Sequence, residues 1–140
     1  MNVRRARAAD AGRIGDLMRQ LGYDAPASEL ARRIERRDDG RAVFVAEDES
    51  GALGWAAVCV EEGFVEGRQA WIEGFVVDEG ARGQGIGAQL LAAAEAWARD
   101  VGCVTMRVQS NVLRERAHGF YERHGYSKIK AQFAFRKALC

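Results

Sequence analysis

The sequence predicts a mixed α/β domain, and three observations carry that prediction. Short apolar runs rich in Val, Phe and Ile alternate with stretches whose apolar residues recur every three to four positions, the signatures of strand and helix. Glycine-containing breaks separate these runs. Between Trp71 and Val108 a strand, a glycine-rich loop, an amphipathic helix and a second strand follow one another. Strands joined through a helix in this way pair in parallel.

Each element has its own justification. Residues 3–7 read as a first strand. Asp10 caps a helix whose Ile14, Leu17, Met18 and Leu21 form the inner stripe, and Gly22 ends it. A second helix spans about 26–37, with Leu30 and Ile34 inward and Arg32, Arg33, Arg36 and Arg37 on a solvated face. Strands 42–46 and 53–60 flank the turn Asp48-Glu49-Ser50-Gly51, and strand 71–77 follows the connection 63–67. After the glycine loop, Ile86, Leu90, Leu91, Ala94 and Trp97 mark a helix that Gly102 closes. Residues 103–108 form a strand and 114–123 a helix stopped by Gly125. The tail 126–139 carries one or two last strands, with Phe133 and Phe135 at period 2. The expected fold is a mostly antiparallel sheet of six or seven strands with about four helices, in a single domain of residues 1–140 without repeats or linkers.

Composition narrows the function. With 48% hydrophobic and 29% charged residues the chain is globular in type, neither disordered nor membrane-embedded. Its longest apolar runs are strand-sized, far below the ~20 residues that span a bilayer. The opening Met1-Asn2-Val3-Arg4-Arg5 lacks the apolar stretch of a secretion signal, so a cytoplasmic protein with no membrane partner is expected. Lys and Arg number 21 against 20 Asp and Glu, which gives no general pull toward nucleic acid. Cys59, Cys103 and Cys140 form no Cys-x-x-Cys pair and only two His accompany them. Neither a disulfide framework nor a metal site is expected, and Cys59 and Cys103 read as core residues.

The loop Asp78-Glu79-Gly80-Ala81-Arg82-Gly83-Gln84-Gly85-Ile86-Gly87 is the strongest chemical signal. Its glycines let backbone N–H groups approach a ligand without Cβ interference. A helix beginning there adds unpaired donors and a positive dipole end, and Arg82 adds a cation. The alternative is a flexible glycine turn, disfavoured by the adjoining strand and amphipathic helix. A Walker loop needs Gly-Lys-Ser/Thr, which is absent. Gly83-x-Gly85-x-x-Ala88 matches the dinucleotide pattern formally. That pattern, however, ends a first strand and is answered by a carboxylate after the second, whereas here half the chain precedes it and Val108 is followed by Gln109 and Ser110.

Arg82-x-x-Gly85-x-Gly87 followed by Ala88-Gln89-Leu90-Leu91 resembles the acetyl-CoA loop of the GNAT superfamily of N-acetyltransferases. Gly74-Phe75-Val76-Val77-Asp78 resembles the family's fourth strand. Ala117-His118-Gly119-Phe120-Tyr121-Glu122-Arg123-His124-Gly125-Tyr126 resembles its second signature, a helix bearing a tyrosine and then Gly-aromatic. The resemblance extends over the whole chain and implies the GNAT (acyl-CoA N-acyltransferase) fold. It also implies an N-acetyltransferase in which a neutral primary amine of a small molecule or peptide attacks acetyl-CoA directly, with no metal.

Residue by residue, the resemblance implies that the backbone of Arg82, Gly83, Gln84, Gly85, Ile86 and Gly87 holds the pyrophosphate. Phe75, Val76 and Val77 would line the pantetheine arm as an added strand does. Ala117 and Phe120 would complete the cofactor contacts together with Asn111 or Arg114; relatives place an Asn at the position of Arg114, and here Asn111 lies three residues earlier. Tyr121 is the implied general acid. Gly74 stands where a bulge opens the slot for the arm, or serves simply as a small packing residue. Glu73 is the only ionisable residue of strand 71–77, and a carboxylate in an apolar strand is costly unless paired or working. It is therefore either the general base or one half of a cross-strand salt bridge. Alternation puts it on the face of Phe75 and Val77. Acidic Glu61, Glu62 and Glu66 suggest a cationic acceptor. The patterned tail would end as an open strand edge, which proteins usually cover, and GNAT domains commonly pair, so a homodimer is expected.

Overall fold

The computed structural model describes every residue except Arg37 and Asn111. The chain divides into two compact units, residues 1–108 and 109–140.

In the first unit, five strands lie side by side in chain order: β1 (Asn2–Arg5), β2 (Arg41–Asp48), β3 (Gly51–Gly63), β4 (Gly67–Val77) and β5 (Met106–Val108). The first four pair antiparallel, β1 with β2 across the long segment 6–40 and β2, β3 and β4 through short turns, and β4 and β5 pair in parallel across the helix between them. Two helices, α1 (Ala11–Arg19) and α2 (Ala27–Glu35), cover one face, where Ile14, Leu17 and Leu30 pack on Val45, Trp55 and Val76. Helix α3 (Ile86–Asp100) covers the other, setting Ile86 and Leu90 against Ala46, Ala56, Phe75 and Val77. The two-residue strand period sends Trp55 and Ala56, or Phe75 and Val76, to opposite cores. The turn at Asp48 forms as expected: its carboxylate accepts the Ser50 N–H at 2.8 Å and the Ser50 hydroxyl at 2.6 Å.

Asp10 departs from its expected role. A 3-10 turn, Ala8–Asp10, precedes α1, and the Asp10 side chain caps that turn rather than α1. Its carboxylate accepts the Arg7 N–H at 2.7 Å and both ends of the Arg4 guanidinium at 2.8 and 2.9 Å. Arg4 also donates to Glu47 at 2.9 Å, tying β1 to β2 and to the start of α1.

The second unit contains α4 (Glu115–Arg123), which ends where Gly125 takes φ +93 and the Tyr126 N–H donates to the Tyr121 carbonyl at 3.0 Å. The expected last strands do not form. Residues 127–140 have no regular secondary structure, so the described sheet has five strands rather than six or seven. The reason is physical: a strand exists only beside a backbone partner, and no described strand pairs with this segment.

Candidate active site

Two features of β4 build the site. The first is a bulge. Ala57 pairs with Gly74 and Val58 with Ile72, leaving Glu73 as an extra residue opposite neither. Gly74 is small for a concrete reason, since a Cβ there would lie 2.6 and 2.7 Å from Cη2 and Cζ3 of Trp55. Both readings of Gly74, bulge and packing, are therefore met in one residue. The second feature is divergence. The β4–β5 ladder covers only Ala70–Ile72, so beyond the bulge β4 keeps β3 but no longer pairs with β5. The Asp78 N–H donates to the Leu53 carbonyl at 2.7 Å on the β3 side. Alternation along the strand then directs the backbone groups of Val77 and Phe75 toward the edge that β5 has left.

The loop continues directly from this edge. A 3-10 turn, Glu79–Ala81, buries Ala81, and Arg82, Gly83, Gln84 and Gly85 are exposed before α3 starts at Ile86. Gly83 and Gly85 take φ +85 and +79, the left-handed region that glycine enters without strain. A Cβ at either would meet nothing within 4 Å, so the space above the loop is open. No side chain caps α3, and Arg82 takes part in no ion pair among the described residues. Open N–H donors, a helix N-terminus and an uncommitted guanidinium suit an anion such as a pyrophosphate.

The sequence alone did not reveal what holds this loop. Asp78 accepts Arg13 Nη2 at 3.0 Å and Gln20 Nε2 at 3.1 Å, and the Gln20 carbonyl oxygen accepts the Glu79 N–H at 3.2 Å. Those bonds, Gln20 first and then Arg13, hold the Asp78 carboxyl below its ordinary range. Both partners stand on or just after α1, about sixty positions away, and only the folded register brings them together.

Glu73 does not share a face with Phe75 and Val77. The bulge shifts the parity of β4, so Phe75 and Val77 face α3, whereas Glu73 lies beside Arg41 and Cys59 on the opposite side. Arg41 Nη1 donates to both Glu73 carboxylate oxygens, at 2.7 and 2.8 Å, and Asp38 flanks Arg41 at 3.4 Å. The cross-strand salt bridge thus exists. Burial, then the neighbouring Glu73 carboxylate, pushes the Cys59 thiol up to about 12. Of the three acids thought to attract a cation, Glu62 is paired with Arg68 and Glu66 with Arg107, while Glu61 is exposed.

In the second unit Arg114, Ala117 and Tyr121 recur at helical spacing along α4, with Arg114 at its N-cap. Tyr121 stacks edge-on with Phe120 at 5.5 Å and with Tyr126 at 5.8 Å. Burial raises its phenol and Arg114 pulls it back down. Asn111 lies outside the described residues.

A mixed sheet that diverges at one strand pair, beside a glycine-lined helix start, is the scaffold of an acyl-CoA-dependent transferase. The family model described as "Acetyltransferase (GNAT) family" matches residues 14–126. The chain is 33% identical to an aminoglycoside N(6')-acetyltransferase type 1 of Stenotrophomonas maltophilia, over 98% of this chain and 93% of that protein. It is 46% identical to an aminoalkylphosphonate N-acetyltransferase of Salmonella typhimurium, over 49% of this chain and 43% of that one. Among solved structures, a CoA complex of aminoglycoside N-acetyltransferase AAC(6')-Iy superimposes with a TM-score of 0.86 at 22% identity, covering 99% of this chain and 95% of that one. The chain belongs to the GNAT family of acetyltransferases, and it is an acetyl-CoA-dependent N-acetyltransferase. Among the described residues no group of His, Cys, Asp and Glu could hold a metal ion, and no helix is long and apolar enough to cross a membrane.

Proposed function

We propose that the protein acetylates a primary amine of a small, polar, cationic molecule in the cytoplasm, working as a homodimer. The observation that carries the site is the divergence of β4 from β5 directly upstream of the open glycine loop. In this reading the loop backbone from Arg82 to Gly87 receives the pyrophosphate. Phe75, Val76 and Val77 line the pantetheine arm, whose amides find the strand edge that β5 does not use. The family resemblance assigns further cofactor contacts to Ala117, Phe120 and either Asn111 or Arg114. A small-molecule acceptor, rather than a peptide, is favoured by the named substrates of the relatives, an aminoglycoside and an aminoalkylphosphonate.

The chemistry follows from the residue types. The amine nitrogen attacks the thioester carbonyl, the C–N bond forms, the C–S bond breaks, and the thiolate leaves. Tyr121 donates its phenolic proton to that sulfur. Its raised pKa keeps the proton in place at neutral pH. Glu73, held by Arg41 at 2.7 and 2.8 Å, receives the ammonium of the acceptor. The proton the nitrogen loses passes to Glu73 or to water beside it.

The test is release of CoA thiol across a panel of amines: aminoglycosides, polyamines, aminoalkylphosphonates and lysine peptides. Turnover is expected with at least one small cationic amine. A preference for lysine peptides would overturn the small-molecule reading. With that acceptor in hand, Tyr121→Phe is expected to lower kcat by ~10²–10⁴-fold while acetyl-CoA affinity holds, because only the hydroxyl is lost. Near-full turnover of that variant, with chemistry rate-limiting, would remove Tyr121 from the mechanism.

A further inference from the structure

Residues 82–85 form a short bridge between two buried posts, Ala81 and Ile86, which pack in one core. The bridge itself is exposed, and Arg82, Gly83 and Gln84 make no hydrogen bond or ion pair among the described residues. Glycine-rich backbone loses more freedom on ordering than any other. A ligand that must order such a segment binds less tightly than one that finds it already set. What sets it therefore matters to affinity.

The upstream post is fixed through Asp78. Its N–H donates to the Leu53 carbonyl at 2.7 Å, and its carbonyl accepts the Ala81 N–H at 2.9 Å. Its two carboxylate oxygens are divided between two side chains of another element: Oδ2 accepts Arg13 Nη2 at 3.0 Å and Oδ1 accepts Gln20 Nε2 at 3.1 Å. Arg13 Nε also donates to the Ala52 carbonyl at 3.0 Å, so α1 grips β3 and β4 together. Gln20 is the C-cap of α1, and its N–H donates to the carbonyl of fully buried Leu17 at 3.0 Å. A carboxamide donates and accepts from one planar group. The donor end of Gln20 meets the Asp78 carboxylate and its acceptor end takes the Glu79 N–H at 3.2 Å. One side chain thus fixes the plane of the peptide that opens the turn.

We propose that Gln20 and Arg13 are positioning residues of the donor site: acting through Asp78 and the 78–79 peptide, they set residues 82–85 in the conformation that receives the pyrophosphate. The inference rests on the loop reading above and assigns what prepares that loop. Coupling of this kind is reciprocal, so acetyl-CoA in turn tightens the end of α1.

Two donors separate positioning from general stability. S-acetylpantetheine ends before the pyrophosphate, whereas acetyl-CoA includes it. In calorimetric titrations Gln20→Ala is expected to raise the Kd of acetyl-CoA by ~3–10-fold, the share of exposed hydrogen bonds, and to leave that of S-acetylpantetheine unchanged. Gln20→Glu should cost more, because a carboxylate then faces the Asp78 carboxylate. Adding Asp78→Asn to Gln20→Glu reverses donor and acceptor: the new amide N–H donates to position 20, its oxygen still accepts Arg13, and the Glu79 N–H keeps an acceptor. That double variant should return to within about twofold of the parent. Acetyl-CoA should also slow amide hydrogen exchange at residues 20–23 in the parent but not in Gln20→Ala.

Equal losses for the two donors, no recovery in the double variant, or no slowing of exchange in the parent would overturn the positioning role. Unchanged acetyl-CoA affinity in every Gln20 variant, with Arg82→Ala weakened, overturns this inference alone. Unchanged affinity in Arg82→Ala and Gly85→Val as well overturns the loop reading and this inference with it.

Discussion

Gly74→Ala adds one methyl where the structure has least room for it. The new Cβ would lie 2.6 and 2.7 Å from the outer ring carbons of Trp55, against ~3.5–4.0 Å for relaxed carbon–carbon contact. Either the indole or the bulge must move by about 1 Å, in a core where Trp55 packs with Val45, Val76, Leu17 and Leu30. Overpacking of this kind costs ~1–3 kcal/mol. For a chain of this size that is a fall in Tm of roughly 3–15 °C. Trp55→Phe removes the two offending atoms. It also deletes an indole N–H that is buried without a hydrogen-bond partner among the described residues. The double variant is therefore expected to be more stable than the sum of the singles, with a coupling of ~0.5–3 kcal/mol. Urea and thermal melts of the four proteins measure it. A Gly74→Ala melt within a degree of the parent, or strict additivity in the cycle, would refute the packing argument.

Three further outcomes are expected. Arg82→Ala should weaken acetyl-CoA binding more at low salt than at high, and Gly85→Val should abolish it, because φ +79 excludes a β-branched residue and its methyls would fill the open space above the loop; calorimetry that finds both affinities unchanged removes the loop from the cofactor site. Cys59 is raised from 9.0 to about 12, so its neutral form adds stability that is intact below pH 9 and drains away as pH rises from about 9 to about 12. Melts between pH 8 and 10.5 should accordingly fall more steeply for the parent than for Cys59→Ala; parallel curves would contradict this. Arg4 depresses the carboxyls of Asp10 and Glu47, a contribution present above their ordinary values and lost as pH falls through the depressed ones. Arg4→Met should thus destabilise at pH 7, with the gap to the parent narrowing toward pH 3.

What could be read from the residues was local. The strand, loop and helix from Trp71 to Asp100 form one contiguous run, so their order and the glycine-rich turn before the helix were legible from spacing alone, and the family motifs came with them. The turn at Asp48 and the stop at Gly125 were legible for the same reason. Relations between distant segments were not. Nothing near Glu73 points to Arg41, 32 positions away, or near Asp78 to Arg13, 65 positions away. The face of Glu73 was misjudged because strict alternation assumes an unbroken ladder, and one unpaired residue inverts it. The tail shows the limit most plainly. Its alternating pattern is that of a strand, but a strand is a relation between two segments, and the second was not in the pattern.

The pairing around Glu73 has an arithmetical consequence. Remove that residue and Ile72 joins Gly74 directly, opposite Val58 and Ala57, which are already neighbours. Every other cross-strand partner of β4 would stay the same, and Ile72, Gly74, Phe75 and Val76 would keep the sides they now occupy. Glu73 is thus the supernumerary letter of its strand, the one position whose deletion repairs the spelling of the sheet. Most residues in a core strand cannot be excised without scrambling their neighbours, so scaffold and chemistry are hard to vary apart. Here a single-codon deletion separates them: it takes away a carboxylate, releases Arg41 and straightens β4, while leaving both hydrophobic cores addressed to the same side chains.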